Sequence, residues 1–420
     1  MEFFKITGPT EYEGSVKVQG SKNAVLPMMA AAVAVKGVTK LKNCPDISDV
    51  HSAIDILRQL GCTVTLEDGV LTIDSSMDLD SSIPASFMGR LRASFIFTGA
   101  LLARCKEFTA SKPGGCNIGL RPVDIHLNAL RDLGAVIELS PMGIRCRADS
   151  LTPCSITLRF PSVGATENIM ILASCLNGTT RIINAAREPE IEDLQNMLNA
   201  CGAHINGAGS SVIVIEGTDN LHGTCYEVMP DRIDTATYLS AVACSRGHLT
   251  IKDAKPMHLI SYINLLKGCG MDISFNDGTI YAEKKNRLKG SVNVSTMPYP
   301  GFATDMQSLL MSVLSVSEGV SLIKENIFEN RFCMSQTLCN MGADIRIYRH
   351  TASVRGVRNL LSAQGSVCDL RSGAALAIAM MGAKGTSHLT DICYIDRGYE
   401  RFEEKYKSIG AYIERVEDIE

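Results

Sequence analysis

The sequence predicts an α/β protein made of six copies of one unit, grouped as two similar domains of three units each. A glycine-containing phrase recurs six times at intervals of 68 to 73 residues. An alternating strand-turn-strand pattern follows it, as in Thr63–Ile73. Each unit also holds a nearly apolar helix, and a helix that is apolar all round is buried all round. The recurring glycines are Gly61, Gly134, Gly202, Gly270, Gly342 and Gly410.

Two kinds of helix alternate within the units. Amphipathic helices such as Ser52–Leu60 and Ile191–Leu198 end at the recurring glycine, which is a common residue just beyond a helix end. We therefore expect each unit to run strand, helix, strand, helix and hairpin, with the apolar helices inside and the sheets outside. A single open array of six units is the less favoured alternative, because neither end shows a polar capping unit. The clearest apolar helices are Met28–Val35, Ile169–Leu176, Leu309–Val316 and Ala374–Met381.

Composition excludes several classes of function. The 420 residues are 45% hydrophobic, and 41 basic residues face 45 acidic ones, so no broad positive surface for nucleic acid is expected. The apolar runs are too short to span a membrane, and no secretory signal is recognisable. The fifteen cysteines are scattered and odd in number, which fits a reducing cytoplasm better than a disulfide framework. Their spacing is not that of a zinc site.

The glycine-rich stretch Lys112–Pro122 places a thiol in a loop that leads into a helix. Its glycines allow sharp turns, and a thiol close to a guanidinium and a helix N-terminus has a lowered pKa. The stretch holds Cys116 five residues before Arg121, so it is a candidate catalytic lid loop. An ordinary Pro-Gly-Gly turn is the alternative.

Charged residues cluster where the apolar helices begin. Asp231, Asp234 and Asp369 suit N-caps. Cations at a helix N-terminus are unfavourable unless an anion is present, so their repetition there indicates a shared anionic ligand. Solvated surface positions are the alternative for each one. The cations are Lys22, Arg121, Arg232 and Arg371.

Three polar loops carry weaker signals. They contain Arg187–Glu190, Glu329–Arg331 and Arg397, and loops commonly carry function. For Arg397, an ion pair with Asp396 or Glu400 is the alternative.

Together these residues resemble the enolpyruvyl transferase family over the whole chain. The resemblance implies two inside-out α/β barrel domains. It divides the chain into an N-terminal domain at 22–229 that carries the Cys116 lid loop and a C-terminal domain of 1–21 plus 230–420, with the active site in the cleft between them. The phrases that carry it are Ser21–Ala24, Arg92–Ser94, Pro113–Cys116, Arg121–Asp124, Ser162–Thr166, Arg187–Glu190, Pro230–Arg232, Thr304–Gln307, Glu329–Phe332, Asp369–Arg371 and Asp396–Arg401.

Within the family, the resemblance is to the branch that uses UDP-N-acetylglucosamine. It implies transfer of the enolpyruvyl group of phosphoenolpyruvate to the sugar 3′-hydroxyl with release of phosphate, the first committed step of peptidoglycan synthesis. Cys116 matches the proton donor that fosfomycin alkylates, and Asp305 matches the base at the hydroxyl. Lys22 and Arg397 complete the implied catalytic set. No metal or organic cofactor, no nucleic acid, no membrane and a cytoplasmic monomer or weak oligomer are expected.

The resemblance also assigns the substrate contacts. Residues implied at phosphoenolpyruvate are Lys22, Asn23, Arg92, Arg121, Arg371 and Arg397, and Asp369 lines the same cavity. Residues implied at the nucleotide sugar are Asn23, Arg92, Arg121, Pro122, Val123, Asp124, Ile125, Ser162, Val163, Gly164, Asp305 and Ile327. Phe160 departs from the basic residue that some members carry near the diphosphate.

Two alternatives remain. The sister branch that uses shikimate 3-phosphate lacks the Pro-Gly-Gly-Cys loop. A catalytically silent paralogue would not need the intact set of charged residues and thiol.

Overall fold

The computed structural model describes residues 2–83, 95–111, 118–119, 123–141 and 143–417. Its helices are α1 (Lys22–Ala34), α2 (Ser48–Gln59), α3 (Phe97–Cys105), α4 (Asp124–Asp132), α5 (Val163–Ser174), α6 (Pro189–Ala200), α7 (Arg232–Cys244), α8 (Ile260–Gly268), α9 (Gln307–Val316), α10 (Ser335–Asn340), α11 (Leu370–Gly382), α12 (Cys393–Asp396) and α13 (Phe402–Ser408). Short 3-10 helices at Pro256–Leu259 and Thr304–Met306 precede α8 and α9.

The strands are β1 (Glu2–Gly8), β2 (Glu11–Tyr12), β3 (Ser15–Lys17), β4 (Val38–Lys42), β5 (Thr63–Glu67), β6 (Val70–Asp74), β7 (Ser82–Ile83), β8 (Glu107–Ala110), β9 (Val136–Ser140), β10 (Gly143–Arg147), β11 (Ser155–Thr157), β12 (Gly178–Ile183) and β13 (His204–Asn206). They continue with β14 (Val212–Gly217), β15 (Cys225–Glu227), β16 (Arg246–Lys252), β17 (Asp272–Asn276), β18 (Thr279–Lys284), β19 (Asn293–Ser295), β20 (Val320–Lys324), β21 (Asp344–Tyr348), β22 (Thr351–Arg355), β23 (Gln364–Ser366), β24 (Gly385–Thr390) and β25 (Tyr412–Glu417).

The strands form six sheets with one shared topology. In the sheet β11-β12-β14-β13, for example, β11 is parallel to β12, which is antiparallel to β14 of the β13–β14 hairpin. The sheets β7-β8-β10-β9, β15-β4-β6-β5 and β19-β20-β22-β21 repeat this order. In the sheet β23-β24-β1-β25, the first strand of the chain takes the hairpin position beside β25. The repeat seen in the sequence is therefore a repeat of structure.

The described residues divide into two compact units of three sheets each. The N-terminal unit spans Gly20–Cys116 and Arg121–Met229, and the C-terminal unit spans Met1–Gln19, Asn117–Leu120 and Pro230–Glu420. Strand β3 precedes α1 in the chain but pairs with β16, whereas β15 precedes α7 but pairs with β4. The sheet of β16 is thus completed by β3, which lies near the start of the chain. The sheet of β4 is completed by β15, which lies at the end of the N-terminal unit.

Each unit is built around three buried helices that pack on one another. They are α1, α3 and α5 in the N-terminal unit and α7, α9 and α11 in the C-terminal unit. Residues 24–34 of α1 are all apolar and all buried, as expected of a helix that is apolar on every side. The strands alternate buried and exposed residues, so the sheets present one face to solvent. This confirms the α/β class with helices inside and sheets outside, and the open array is wrong.

The recurring glycines explain why the repeat is visible in the sequence. All six adopt φ between 94° and 103°, in the left-handed region where other residues are strained. The turn after each amphipathic helix therefore requires glycine.

Within the described residues, none of the helices combines the length and the apolar character that a membrane span needs.

Candidate active site

The C-terminal unit gathers two acids and two arginines near the starts of α9, α10 and α11. Asp305 lies in the 3-10 helix that leads into α9, and its side chain is 29% exposed. Its Oδ1 atom is 2.7 Å from Arg331 Nη2 and 3.6 Å from Arg371 Nε. Arg331 is almost fully buried and also approaches Asp369 Oδ1 at 3.4 Å. A single carboxylate thus faces two guanidinium groups while keeping access to solvent.

Asp369 both caps α11 and holds Arg331. Its Oδ1 accepts the backbone N–H groups of Arg371 at 2.9 Å and Ser372 at 3.2 Å, and Ser372 completes a capping box. Asp231 caps α7 by accepting the backbone N–H groups of Ile233 and Asp234. The cap prediction is confirmed for these two residues. It is wrong for Asp234, which accepts the backbone N–H of Gln19 at 3.2 Å from within the first turn of α7.

Arg371 is held at the start of α11 by surrounding negative and aromatic groups. Burial acts to lower the pKa of its guanidinium, but the charges of Asp305, Tyr399 and Asp231 outweigh burial and raise it. The guanidinium carbon lies 5.9 Å from the centre of the Tyr399 ring. The group therefore remains cationic at any physiological pH, as an anion site requires.

A buried glutamate organises the loop that carries Ile327. Glu325 Oε1 accepts the backbone N–H groups of Ile327 at 2.8 Å and Phe328 at 3.1 Å, together with the Thr296 hydroxyl at 2.9 Å. Its Oε2 accepts the Thr304 hydroxyl at 3.0 Å, next to Asp305. One carboxylate thus fixes both the loop after β20 and the start of the 3-10 helix.

In the N-terminal unit, Lys22 begins α1 and pairs with a buried acid. Lys22 Nζ is 2.7 Å from Asp49 Oδ2, and the two side chains are 12% and 4% exposed. Asp49 lies in the first turn of α2. Asn23 follows Lys22 and is partly buried. The structure therefore holds an ammonium group at a helix start where, of the described first-turn residues, none is acidic.

The implied nucleotide-sugar segments at Val123–Ile125 and Ser162–Gly164 come together at the starts of α4 and α5. The Ser162 hydroxyl caps α5 by accepting the Ala165 N–H. Asp124 forms an ion pair with Arg159, just before this cap. A Cβ atom on Gly164 would lie 2.9 Å from the His126 ring, so glycine is needed for this close approach. Phe160 is 41% exposed beside the same turn.

A group of buried acids was missed in the sequence. Glu167 lies in α5, and burial first, then the charges of Glu190 and Glu188, raises its pKa well above the ordinary value. Glu167 and Glu190 are 5% and 2% exposed. In the sequence, these acids are indicated only by a glutamate inside an otherwise apolar helix. A glutamate is rarely buried unless its carboxyl group is paired.

Arg397 follows α12 directly and is partly buried. The acids suggested as its alternative partners make other ion pairs: Asp396 lies 2.7 Å from Arg415, and Glu400 lies 3.0 Å from Lys405.

Four implied site residues lie outside the described part of the chain: Arg92, Cys116, Arg121 and Pro122. Two residues after Cys116, Ile118 is described, and its carbonyl accepts the Asn330 N–H at 3.1 Å. A Cβ atom on Gly119 would lie 1.9 Å from Glu329 Oε2. The described end of the loop thus packs against the segment that contains Arg331.

Among the described residues, one group of side chains is close enough to share a metal ion: Cys333, Cys368 and Asp369. In the structure the two cysteines are joined by a disulfide. Arg331, 3.4 Å from Asp369, would repel a cation there.

Chemically, the described groups support acid–base work on an anionic substrate. Asp305 is a carboxylate with solvent access and fixed orientation, as a general base needs. Lys22 and Arg371 are cations fixed at helix starts, where backbone N–H groups also favour anions.

Comparison with known proteins identifies the family that this chain is similar to. Residues 6–406 match the family model described as EPSP synthase (3-phosphoshikimate 1-carboxyvinyltransferase). A Caldanaerobacter subterraneus protein named UDP-N-acetylglucosamine 1-carboxyvinyltransferase 2 is 46% identical over 98% of this chain and 99% of its own. A Thermotoga maritima protein named UDP-N-acetylglucosamine 1-carboxyvinyltransferase is 42% identical over 98% of both chains.

Solved structures agree on the fold. The enolpyruvyl transferase NikO from Streptomyces tendae superposes with a TM-score of 0.90 at 24% identity, over 99% of both chains. EPSP synthase from Acinetobacter baumannii superposes with a TM-score of 0.78 at 18% identity, over 99% of this chain and 100% of its own.

Proposed function

Because this chain belongs to the EPSP synthase family of enolpyruvyl transferases, we propose that it transfers the enolpyruvyl group of phosphoenolpyruvate to the 3′-hydroxyl of UDP-N-acetylglucosamine. Phosphate is the second product, and the reaction is the first committed step of peptidoglycan synthesis. The nucleotide-sugar acceptor follows the names of the relatives that are 46% and 42% identical over nearly the whole chain.

The observation that carries the proposal is the cluster of Asp305, Arg331, Asp369 and Arg371, which we call the Asp305 cluster. A carboxylate that is partly exposed and held at 2.7 Å by a buried arginine has the fixed orientation needed to accept a proton from a hydroxyl group. Arg371, 3.6 Å from the same oxygen, adds positive charge beside the reacting centre. In our proposal Asp305 is the base at the sugar 3′-hydroxyl.

The remaining roles complete an addition followed by an elimination. The Cys116 thiol gives a proton to the methylene carbon of phosphoenolpyruvate, while the sugar oxygen bonds to the adjacent carbon. Loss of a proton from the same methyl group then expels phosphate and restores the double bond. Lys22, Arg371 and Arg397, with Arg92 and Arg121, neutralise the phosphate and carboxylate of this substrate.

The acceptor contacts are proposed for two segments of the N-terminal unit and one loop of the C-terminal unit. The segments are Arg121–Ile125 and Ser162–Gly164, and Asn23 and Ile327 supply further contacts. The cap at Ser162 and the close packing of Gly164 on His126 support a preformed surface at the second segment. The nucleotide-sugar substrate favours a cytoplasmic location, and we propose a monomer or weak oligomer.

The sister reaction on shikimate 3-phosphate is the nearest rival, because the family model carries that name. The solved enzyme of that name is 18% identical, against 41% to 46% for relatives named after the nucleotide sugar. This difference favours the nucleotide sugar.

The deciding experiment is phosphate release from phosphoenolpyruvate with each acceptor, with and without fosfomycin. We expect release with UDP-N-acetylglucosamine alone, and its loss after fosfomycin treatment. Release only with shikimate 3-phosphate would overturn the acceptor, and no release with either would favour a silent paralogue.

Two variants test the named roles. Cys116→Ala should slow turnover about 10²–10⁴-fold, the usual contribution of a positioned proton donor. Cys225→Ala, which changes an exposed free cysteine of the same unit, serves as the matched control and should keep wild-type rates. Equal rates in both variants would remove Cys116 from the mechanism.

A further inference from the structure

The C-terminal unit contains a cysteine pair that the proposed reaction does not use. Cys333 lies in the turn before α10, and Cys368 lies between β23 and α11. Their sequence separation is 35 residues, and their Cα atoms are 6.6 Å apart, within the range that a disulfide spans. Among the described cysteines, this is the only bonded pair.

The pair is directly attached to the Asp305 cluster. Arg331 is two residues before Cys333, and Asp369 follows Cys368. The disulfide therefore joins the same two segments as the Arg331–Asp369 ion pair at 3.4 Å. Arg331 continues the connection to Asp305 at 2.7 Å.

The sulfur atoms also touch the cap of α11. Cys333 Sγ is 3.3 Å from Asp369 Oδ2, and Cys368 Sγ is 3.2 Å from Ser372 Oγ. A thiol at Cys333 would donate a hydrogen bond to the Asp369 carboxylate, whereas a disulfide sulfur has no proton to donate. The two redox states therefore differ in how they bind the acid that holds Arg331.

We infer that Cys333 and Cys368 form a reversible dithiol–disulfide site for small disulfide oxidants, and that its state controls how freely Arg331 can leave Asp305. This inference rests on the proposed function only for its effect on activity. Both cysteines are partly exposed, so a small disulfide can reach them.

The exchange is balanced with glutathione disulfide as oxidant. The first cysteine thiolate attacks one glutathione sulfur, which breaks the glutathione S–S bond and expels one glutathione thiolate. The second cysteine then attacks the mixed disulfide and expels the other glutathione. Two protein thiols are oxidised, one glutathione disulfide is reduced, and the two protons end on the two glutathione molecules.

The expected direction follows from the chemistry at Asp305. When Asp305 accepts a proton its charge is lost, and the ion pair with Arg331 must weaken. The disulfide fixes the Arg331 segment against α11, while the dithiol leaves that segment room to withdraw. Oxidation should therefore slow turnover by about tenfold, as expected when one charge-assisted hydrogen bond cannot relax.

The experiment equilibrates the full chain in glutathione buffers of graded redox potential. Peptide mass spectrometry measures the Cys333–Cys368 link, and phosphate release measures turnover, before and after dithiothreitol. We expect the link to appear with increasing oxidant and turnover to fall and then recover. Because glutathione also adds to Cys116 in every variant, Cys333→Ser and Cys368→Ser should keep only that common fall in turnover and lose the response that the link adds. Cys339→Ser, which changes a nearby free cysteine on α10, should keep it.

Each result has a clear meaning. No linked peptide at the most oxidising potential, or an equal response in wild type and Cys333→Ser, would overturn the inference. Stoichiometric zinc in the reduced protein that is lost in Cys333→Ser would assign the pair to a metal instead. Because the mass measurement needs no activity, a link that forms in a protein without transfer activity refutes the proposed function alone.

Discussion

Replacing Arg331 by glutamine tests whether this arginine sets the behaviour of the Asp305 carboxylate. The substitution removes the positive charge but keeps a side chain that can donate a hydrogen bond. Arg331 is 2% exposed and contacts Asp305 at 2.7 Å and Asp369 at 3.4 Å, so both acids lose a cationic neighbour. Arg371 remains 3.6 Å from Asp305, so the site does not lose all its positive charge.

The magnitude follows from the distance and the exposure. Opposite charges about 4 Å apart attract by about 1 kcal/mol in water and about 4 kcal/mol in a partly buried setting. Asp305 is 29% exposed, which places the pair between these limits. The arginine favours the charged carboxylate. Its loss should therefore move the acid limb of the pH–rate profile to higher pH by about one to three units, since one unit corresponds to 1.36 kcal/mol.

The charged and titratable groups around Asp305 come from four places in the chain. They are Arg331 from the turn before α10, Asp369 and Arg371 from α11, and Asp231 and Tyr399, which act on Arg371.

The assay is the pH dependence of kcat/KM for phosphate release, measured with melting temperature. Arg331→Lys should shift the acid limb less than Arg331→Gln, because it keeps the charge. Breaking a buried pair costs about 3–5 kcal/mol, so Arg331→Gln should also melt at clearly lower temperature. The control is Arg355→Gln, which breaks an exposed pair with Asp344 and should change neither quantity. An unshifted acid limb in an active Arg331→Gln enzyme would refute the reasoning.

Three further changes test other parts of the structure. Burial raises the pKa of Asp234 to about 7 although the charge of Lys405 lowers it, so this carboxyl group stabilises the fold fully below about pH 4 and the contribution is lost as pH rises through about 7. Asp234→Asn should therefore flatten the fall in the free energy of unfolding between about pH 4 and pH 7 by up to about 4 kcal/mol, which melting temperatures measured across this pH range would detect. Glu325→Gln removes a charged acceptor beneath Ile327 and should raise KM for the nucleotide sugar more than it lowers kcat, with a stability loss of about 1–3 kcal/mol. Gly99→Ala would place a Cβ atom 2.6 Å from the Asn168 carbonyl and should destabilise by about 1–3 kcal/mol in denaturant unfolding.

Each of these has its own contradiction. Parallel pH–melting curves for wild type and Asp234→Asn would mean that this carboxyl does not titrate in the expected window. An unchanged KM in Glu325→Gln would separate the loop from acceptor binding. Gly268→Ala is the control for Gly99→Ala, because no atom lies within 4 Å of its added Cβ, and equal stability of the two variants would contradict the packing argument.

The fold was predictable because local rules repeat six times. The left-handed turn requires glycine after each amphipathic helix, and buried helices such as α1 are apolar on nearly every side. Helix starts were also readable: Asp231 and Asp369 cap the helices that their positions predicted.

The rest depends on contacts between distant segments. Periodicity does not reveal that β3 pairs with β16 and β15 with β4, because each strand looks like the start of the unit that follows it. The Cys333–Cys368 bond and the Arg331–Asp305 pair join residues 35 and 26 positions apart. Neither spacing carries a local signal. The role of Arg331 therefore appears only when α9, α10 and α11 are brought together.

Asp369 shows why the candidate site and the fold cannot be changed independently. The same oxygen that caps α11 through two backbone N–H groups also receives Arg331 at 3.4 Å. Arg331 in turn orients Asp305. A substitution at Asp369 would remove the cap, which costs about 1 kcal/mol, and would also leave a buried guanidinium with one partner fewer. The position of the proposed base thus depends on the cap of α11, a helix in the sequence repeat that follows the one containing Asp305. Variants at Arg331 are therefore more informative than variants at Asp369.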